Sequence, residues 1–350
     1  MTDRVLRTRD LNRALLARQF LLERSPIAPT RALERLAGLQ TQYAPSAYIG
    51  LWSRLRDFRR DALTEALVQR SAVQATLMRS TIHTVSAEDF PLFASGLRDG
   101  RREWWLRVAR HQIEGLDMEV VAGVLREQLA RGPCRANDLK DLLSARGFPS
   151  IAWSGAGLWV EMVRVPPSGT WDQRRADLYG LADDWLGSGT ATEPKGLEHL
   201  VLRYLGAFGP APLSDVANWA GLPVSRILLA VKSLELVRYR DERGRVLLDL
   251  PDGPLPDPDT PAPVRFLPTW DATLLVHARR TQILPEPYRP LVFNTRTPHS
   301  VPTFLVDGVV AGRWRYERGR VLLEPFERLS PAARQELDDE AQSLVEFHAD

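Results

Sequence analysis

An α+β chain is predicted, built as three tandem winged-helix units with a β-rich C-terminal part. Helical runs close repeatedly on a β-hairpin, the middle of the chain carries an internal repeat, and a Pro- and Asp-rich stretch at residues 251–263 separates that repeat from a series of hairpins. At 350 residues, 44% hydrophobic and 26% charged, the chain has ample material for more than one core.

In the first unit, residues 1–112, the apolar residues Leu11, Ala14, Leu15, Ala17 and Leu22 recur at helical spacing. Pro26 and Pro29 break the chain before a second helix, in which Ala32, Leu33 and Leu36 share a face. Gly38 stops that helix, because the residue just past a helix end often needs a positive φ. If residues 39–43 then run extended, side chains alternate, so Gln40 and Gln42 share one face and Leu39 and Thr41 the other. Two neutral amides on one face offer carbonyl acceptors and N–H donors together, enough to hold a water or a base edge without adding charge. Ordinary surface amides or cap groups are the other use for the same residues. Residues 47–55 and 61–69 read as helices and residues 75–85 as β-structure, which completes a winged-helix pattern. Residues 95–111 read as a helix with Arg98, Arg101, Arg102, Arg107 and Arg110 around Trp104-Trp105, a face that could track phosphates but reads first as solvated arginines over a tryptophan core.

The repeat aligns Gly132-Pro133-Cys134-Arg135-Ala136-Asn137-Asp138-Leu139 with Gly209-Pro210-Ala211-Pro212-Leu213-Ser214-Asp215-Val216. Each copy follows an apolar helix, offers Asn137 or Ser214 as an N-cap, and leads to a strand pair, 159–165 with 177–182 and 236–240 with 245–250. These define units at residues 113–190 and 191–250, with a C-terminal domain at 251–350. The helix at 223–235 offers only Ser225, Arg226 and Lys232 as polar contacts, thin for reading base edges. In the C-terminal part, residues 264–267, 274–277, 301–306 and 309–314 read as strands. Asp307-Gly308 signals a type I′ hairpin, Arg318-Gly319 closes a second hairpin, and Ser330-Pro331 opens a helix to about residue 348.

The formal charge is +2, and the 46 basic residues are almost all arginine, lysine occurring only at Lys140, Lys195 and Lys232. Arginine suits phosphate and guanine, but near-balanced charge means that any nucleic-acid face comes from segregating charge. Cys134 is the single cysteine, which excludes an internal disulfide and a multi-cysteine zinc site. No secretory h-region and no bilayer-length apolar run is present, so a cytoplasmic protein without membrane contact is expected. No carboxylate set has metal-ligand spacing, and Asp183-Asp184 and Asp338-Asp339 read as solvated faces. Asp271 and His277 lack a serine in an elbow motif and read as a loop brace.

Leu39-Gln40-Thr41-Gln42, Gly50-Leu51-Trp52-Ser53-Arg54-Leu55 and Met78-Arg79-Ser80-Thr81-Ile82-His83 resemble the N-terminal signature of the AlkZ-like and YcaQ-like bacterial DNA glycosylases. Leu267-Pro268-Thr269-Trp270-Asp271 with His277, and the stretch from Pro302 to Trp314, resemble its C-terminal half, so the likeness covers nearly the whole chain. It implies three winged helices and a β-rich part forming a concave DNA-binding body. The AlkZ branch carries Gln-x-Gln as its catalytic motif, which falls on Gln40 and Gln42; Thr41 stands where the central residue is usually aliphatic.

The resemblance implies hydrolysis of the N-glycosidic bond of N7-alkylated purines in duplex DNA, bulky adducts and interstrand crosslinks included, leaving an abasic site. Gln40 and Gln42 would orient the water, with no cofactor and no metal, in a monomer. By the same analogy Arg79, Thr81 and His83 in the first wing, and Arg313 and Arg315 by the Asp307-Gly308 hairpin, are candidates for groove contact. A buried core role for His83 is the equal alternative. For the whole chain the alternative is a tandem winged-helix regulator without chemistry.

Overall fold

The computed structural model describes residues 4–187, 189, 191–274, 278–294 and 299–349. It is a mixed α+β protein, and the catalytic candidates sit on a six-stranded antiparallel sheet. Its strands run in the order Leu39–Gln40, Ile82–Ser86, Ala72–Thr76, Met162–Arg164, Leu178–Leu181, Cys134–Arg135. The joint between the first two hairpins is the register Gln74↔Arg164 and Ala75↔Val163. The hairpins of the first and second expected units therefore share one sheet. The strand Ala72–Thr76 accordingly lies covered between two neighbours, with Ala72, Val73, Gln74 and Ala75 all buried.

A second sheet joins the hairpin Val237–Asp241 and Val246–Asp249 to an amino-terminal strand, Arg4–Leu6, which pairs with it in parallel. That strand has only three residues and no periodicity of its own, so nothing in the sequence marks it. The C-terminal sheet is an antiparallel meander of Arg265–Leu267, Thr303–Val306, Val309–Glu317 and Arg320–Pro325. Asp307 and Gly308, at φ 45° and 75°, and Arg318 and Gly319, at 50° and 75°, have the paired positive φ that type I′ turns demand. Of the strand expected at 274–277, Leu274 lies in a turn and residues 275–277, His277 among them, lie outside the described residues. The helices of the repeat begin at Ala136 and Leu213, so Arg135 and Pro212 occupy the cap positions and Asn137 and Ser214 do not. No helix among the described residues is long and apolar enough to cross a membrane.

The cores cross the expected unit limits. One joins Leu15, Phe93, Tyr204, Trp219 and Leu305; another joins Leu33, Tyr48, Trp171, Phe266 and Phe347. The helices Phe90–Ala109 and Glu193–Phe208 cross at bare backbone, since a Cβ on Gly96 would lie 2.5 Å from the Gly196 carbonyl carbon.

Buried ion pairs tie the same parts together. Arg18 in the helix Thr8–Arg18 grips Asp249 through two bonds of 2.7 and 2.8 Å. Arg54 Nη2 donates to Asp271 at 2.9 Å, both side chains being essentially without exposure, and Arg54 Nη1 donates to the Gly50 carbonyl at 3.0 Å. Two of the sequence signatures, 50–55 and 267–271, thus meet through one buried bridge. The Asp307-Gly308 turn is also spoken for. Arg9 and the fully buried Arg13 donate to the Asp307 carboxylate, and Asn12 Nδ2 donates to the Gly308 carbonyl at 2.8 Å. The turn is thereby tied to the amino-terminal helix, while the Asp307 side chain stays about half exposed at 53%.

Replacing Asp271 by Ala strands the Arg54 guanidinium without its counter-charge in the interior, at a cost of roughly 3–5 kcal/mol. Urea unfolding of Asp271→Ala is expected to show that loss, and the double variant Arg54→Met with Asp271→Leu to recover most of it. A loss below about 1 kcal/mol in the single variant would contradict the bridge's role.

Candidate active site

The helix Pro29–Arg35 ends in two consecutive left-handed residues, Ala37 at φ 60° and Gly38 at φ 77°. The Gly38 N–H donates back to the Leu33 carbonyl at 2.8 Å, which closes the helix. Glycine is required here for a second reason: a Cβ would stand 2.7 Å from Val85 Cγ1 and 3.2 Å from the Thr84 carbonyl. The chain can then lie directly on the strand Ile82–Ser86, with Leu39 opposite Thr84 and Gln40 opposite His83.

Extended geometry continues for one more residue, the Thr41 N–H donating to the Ile82 carbonyl at 2.8 Å. Thr84 Oγ1 donates to Thr41 Oγ1 at 3.3 Å, so Thr41 shares the face of Leu39 and Thr84. A threonine at the centre of this motif therefore has a buried hydroxyl partner, which an aliphatic residue would not need. Gln40, on the opposite face, is 7% exposed, while Gln42 is open to solvent. The helix Pro45–Trp52 follows at once, every residue of it buried, so Gln42 projects from a stretch pinned at both ends.

Gln40 is held by Arg79. The first hairpin reverses through Met78–Ser80, with Arg79 and Ser80 at φ 52° and 60°. Arg79 Nη2 donates to Gln40 Oε1 at 2.7 Å and Nη1 to the Trp219 carbonyl at 2.8 Å. The left-handed Gly221, φ 76°, ends the helix Leu213–Ala220 and lets the backbone of Arg79 come close. A guanidinium only donates, so the Gln40 oxygen must face it and the amide NH₂ must turn away. Among the described residues no protein acceptor takes those N–H protons. Burial lowers the Arg79 pKa to about 10, which leaves it charged at neutral pH.

His83 lies 2% exposed beneath this group. Its Nδ1 is 3.1 Å from the Thr81 carbonyl, which can only accept, so Nδ1 carries the proton. Burial first, and then the positive charge of Arg79, push its pKa down to about 3. The ring is a neutral interior group with no face for a duplex, which corrects the groove-contact expectation in favour of the core alternative. Thr81 Oγ1 donates to the Met78 carbonyl at 3.0 Å and steadies the reversal.

Arg313 and Arg315 lie elsewhere, exposed on Val309–Glu317. Both donate to Glu324 at 2.7 Å, so their charge is balanced locally. Asp271 braces Arg54 under the helix Pro45–Trp52 and does not reach solvent. The linear sequence gave no sign of Arg174. The loop between Met162–Arg164 and Leu178–Leu181 brings it to Tyr43, whose hydroxyl accepts from Arg174 Nη1 at 3.0 Å. Its arrival depends on the strand pairing at Gln74↔Arg164, which no local pattern announces. Among the described residues no group of three His, Cys, Asp or Glu gathers to hold a metal ion.

A buried His whose folded pKa is depressed favours the folded state above its unfolded pKa near 6.5, and that advantage is lost as pH falls toward about 3. The melting temperature is expected to fall between about pH 6 and about pH 4, and to fall less steeply in His83→Gln. Equal slopes for the two proteins would show that His83 takes up its proton in the fold as readily as in the unfolded chain.

A family model described as "DNA glycosylase AlkZ-like" matches residues 33–347. A curated relative from Streptomyces sahachiroi, "Interstrand DNA cross-link repair glycosylase", is 24% identical over 340 residues, covering 89% of this chain and 88% of that protein. The solved structure of Streptomyces sahachiroi DNA glycosylase AlkZ superposes with a TM-score of 0.78 at 19% identity, over 98% of this chain and 96% of that one. With the family match spanning most of the residues, the chain belongs to the AlkZ-like DNA glycosylase family.

Proposed function

We propose that this protein hydrolyses the N-glycosidic bond of N7-alkylated purines in duplex DNA, with the attacking water held by Gln40 and Gln42. The observation that carries the reading is the pair itself: a buried amide oriented by Arg79 and, two residues on, an exposed amide. Neither can take a proton near neutral pH, so the site suits a reaction that needs little acid or base. An N7-alkylated purine is such a substrate. Its positive charge makes it a ready leaving group, and the C1′–N9 electron pair leaves with the base, which becomes neutral. The water oxygen bonds to the electron-deficient C1′ and the proton passes to solvent.

Each amide has a part in that step. The Gln40 oxygen keeps one lone pair beyond the bond to Arg79 and the Gln40 nitrogen keeps two protons, while Gln42 offers a carbonyl at the open edge. Together they fix the direction of the water lone pair, a positioning effect of the kind that supplies most of the acceleration when the electrophile is already strong. Gln42 is open to solvent, which leaves room for a lesion too large for a closed pocket. Bulky adducts and interstrand crosslinks are therefore within the proposed substrate class, as the name of the Streptomyces relative suggests. Arg79 and His83 serve as positioning residues, and the protein works as a cytoplasmic monomer on duplex DNA.

Release of N7-methylguanine from a defined duplex, measured under single turnover, tests the assignment. Excision is expected to proceed in EDTA, and Gln42→Ala or Gln40→Ala to slow it about 100-fold or more while duplex binding stays within about twofold. Undiminished excision in both variants would overturn the reading. Arg79→Ala is expected to slow excision about as much as Gln40→Ala, and the double variant to lose little more, because the guanidinium acts through the amide. Full additivity would show that Arg79 has a separate role.

A further inference from the structure

The loop that carries Arg174 to Tyr43 also carries Trp171, and three distant parts of the chain meet at that indole. Its ring stands 5.7 Å from Tyr48, 5.7 Å from Phe347 and 5.1 Å from His348, centroid to centroid. Two guanidiniums lie over it, Arg60 at 4.8 Å and Arg174 at 5.8 Å. Arg174 also lies 5.8 Å from the ring of Tyr43, which is 39% exposed and follows Gln42 directly.

These two cations differ from the surface arginines that face a carboxylate: they lie against aromatic rings and neutral oxygens. Arg131 pairs with Glu127, and Arg313 and Arg315 pair with Glu324. Among the described residues, Arg60 donates only to the His348 carbonyl, at 3.5 Å, and Arg174 only to the Trp171 carbonyl, at 3.3 Å, and the Tyr43 hydroxyl. Among the described residues neither has a carboxylate partner. Holding two guanidiniums on one indole sets them against each other, and the ring attraction orients them without neutralising them. An anion would complete both, and the planar donor fork of arginine matches a phosphate oxygen pair.

We infer that Arg60 and Arg174 bind the phosphodiester backbone of the DNA strand whose lesion faces Gln42. The inference rests on the glycosylase reading for the identity of the ligand. Tyr43 links the two sites: its hydroxyl fixes Arg174 and its backbone continues from Gln42, so a strand held by the guanidiniums lies beside the amides. The pair thereby sets where along the strand the water is delivered. It also gives the neutral catalytic stretch the positive surface that a near-zero net charge does not provide.

Duplex binding followed by fluorescence anisotropy from about 50 to about 200 mM salt tests the pair, because each lost phosphate contact makes the log–log slope shallower by about 0.9. Arg174→Ala and Arg60→Ala are each expected to show that change, Arg174→Lys to keep the wild-type slope, and Arg131→Ala to match wild type. A duplex with single neutral methylphosphonates stepped along the lesion strand adds position. One substitution near the lesion is expected to weaken wild type about fivefold to tenfold and to leave Arg174→Ala unaffected. Wild-type slope and an unchanged methylphosphonate profile in Arg174→Ala would overturn the inference. Both readouts are of binding alone, so a protein that shows the coupling without excising N7-methylguanine overturns that substrate assignment and keeps the phosphate pair.

Discussion

The site depends on one cation placed where, among the described residues, no carboxylate answers it. Arg79 sits at a left-handed hairpin tip, a backbone state that costs of order 1 kcal/mol or more outside glycine. Its guanidinium is buried between the Gln40 oxygen and the Trp219 carbonyl. Neutral oxygens satisfy its donors without cancelling its charge, which is why burial shows in its lowered pKa. The strain persists because the contact is over-determined: Gln40 comes from one part of the chain, Trp219 from another, and Gly221 clears the space between them. Orientation of the buried amide is thus a property of the assembled protein and not of the motif alone.

The same logic extends through the scaffold. Arg18 on Asp249 and Arg54 on Asp271 are bridges between the amino-terminal helices and segments about two hundred residues further along. Buried bridges contribute little net stability but are costly to break, so they select one arrangement of the parts over looser ones. Around them the apolar cores run across the expected unit limits, and the six-stranded sheet joins two hairpins edge to edge. The Gln40–Gln42 stretch is short, and its rigidity comes from the strand and helix on either side of it.

Local chemistry was legible from the sequence. The helix stop at Gly38, the alternation that separates Gln40 from Thr41, the type I′ turn at Asp307-Gly308, the second hairpin at Arg318-Gly319 and the cap at Ser330 each follow from a few adjacent residues, and each is found. Residues 75–85 were harder, because unbroken alternation hid a reversal at Met78–Ser80 that places two non-glycine residues at positive φ. What the sequence hid altogether was partnership over distance. Arg79 read as a surface cation, His83 as an even choice between surface and core, and Arg174 as nothing in particular. Their roles are decided by Trp219, by the interior under the first hairpin and by a strand pairing between residues some ninety apart.

Among the described residues at the site, the amides carry no proton to exchange, His83 is neutral down to about pH 3 and Arg79 is charged up to about pH 10. The single-turnover rate of excision as a function of pH is therefore the most direct test of the central claim, that water is positioned and not deprotonated. A rate constant level from about pH 5.5 to about pH 9 is the predicted result. A limb rising with an apparent pKa near 6 or 7 would mean that an ionisable base does the work, and would contradict the account.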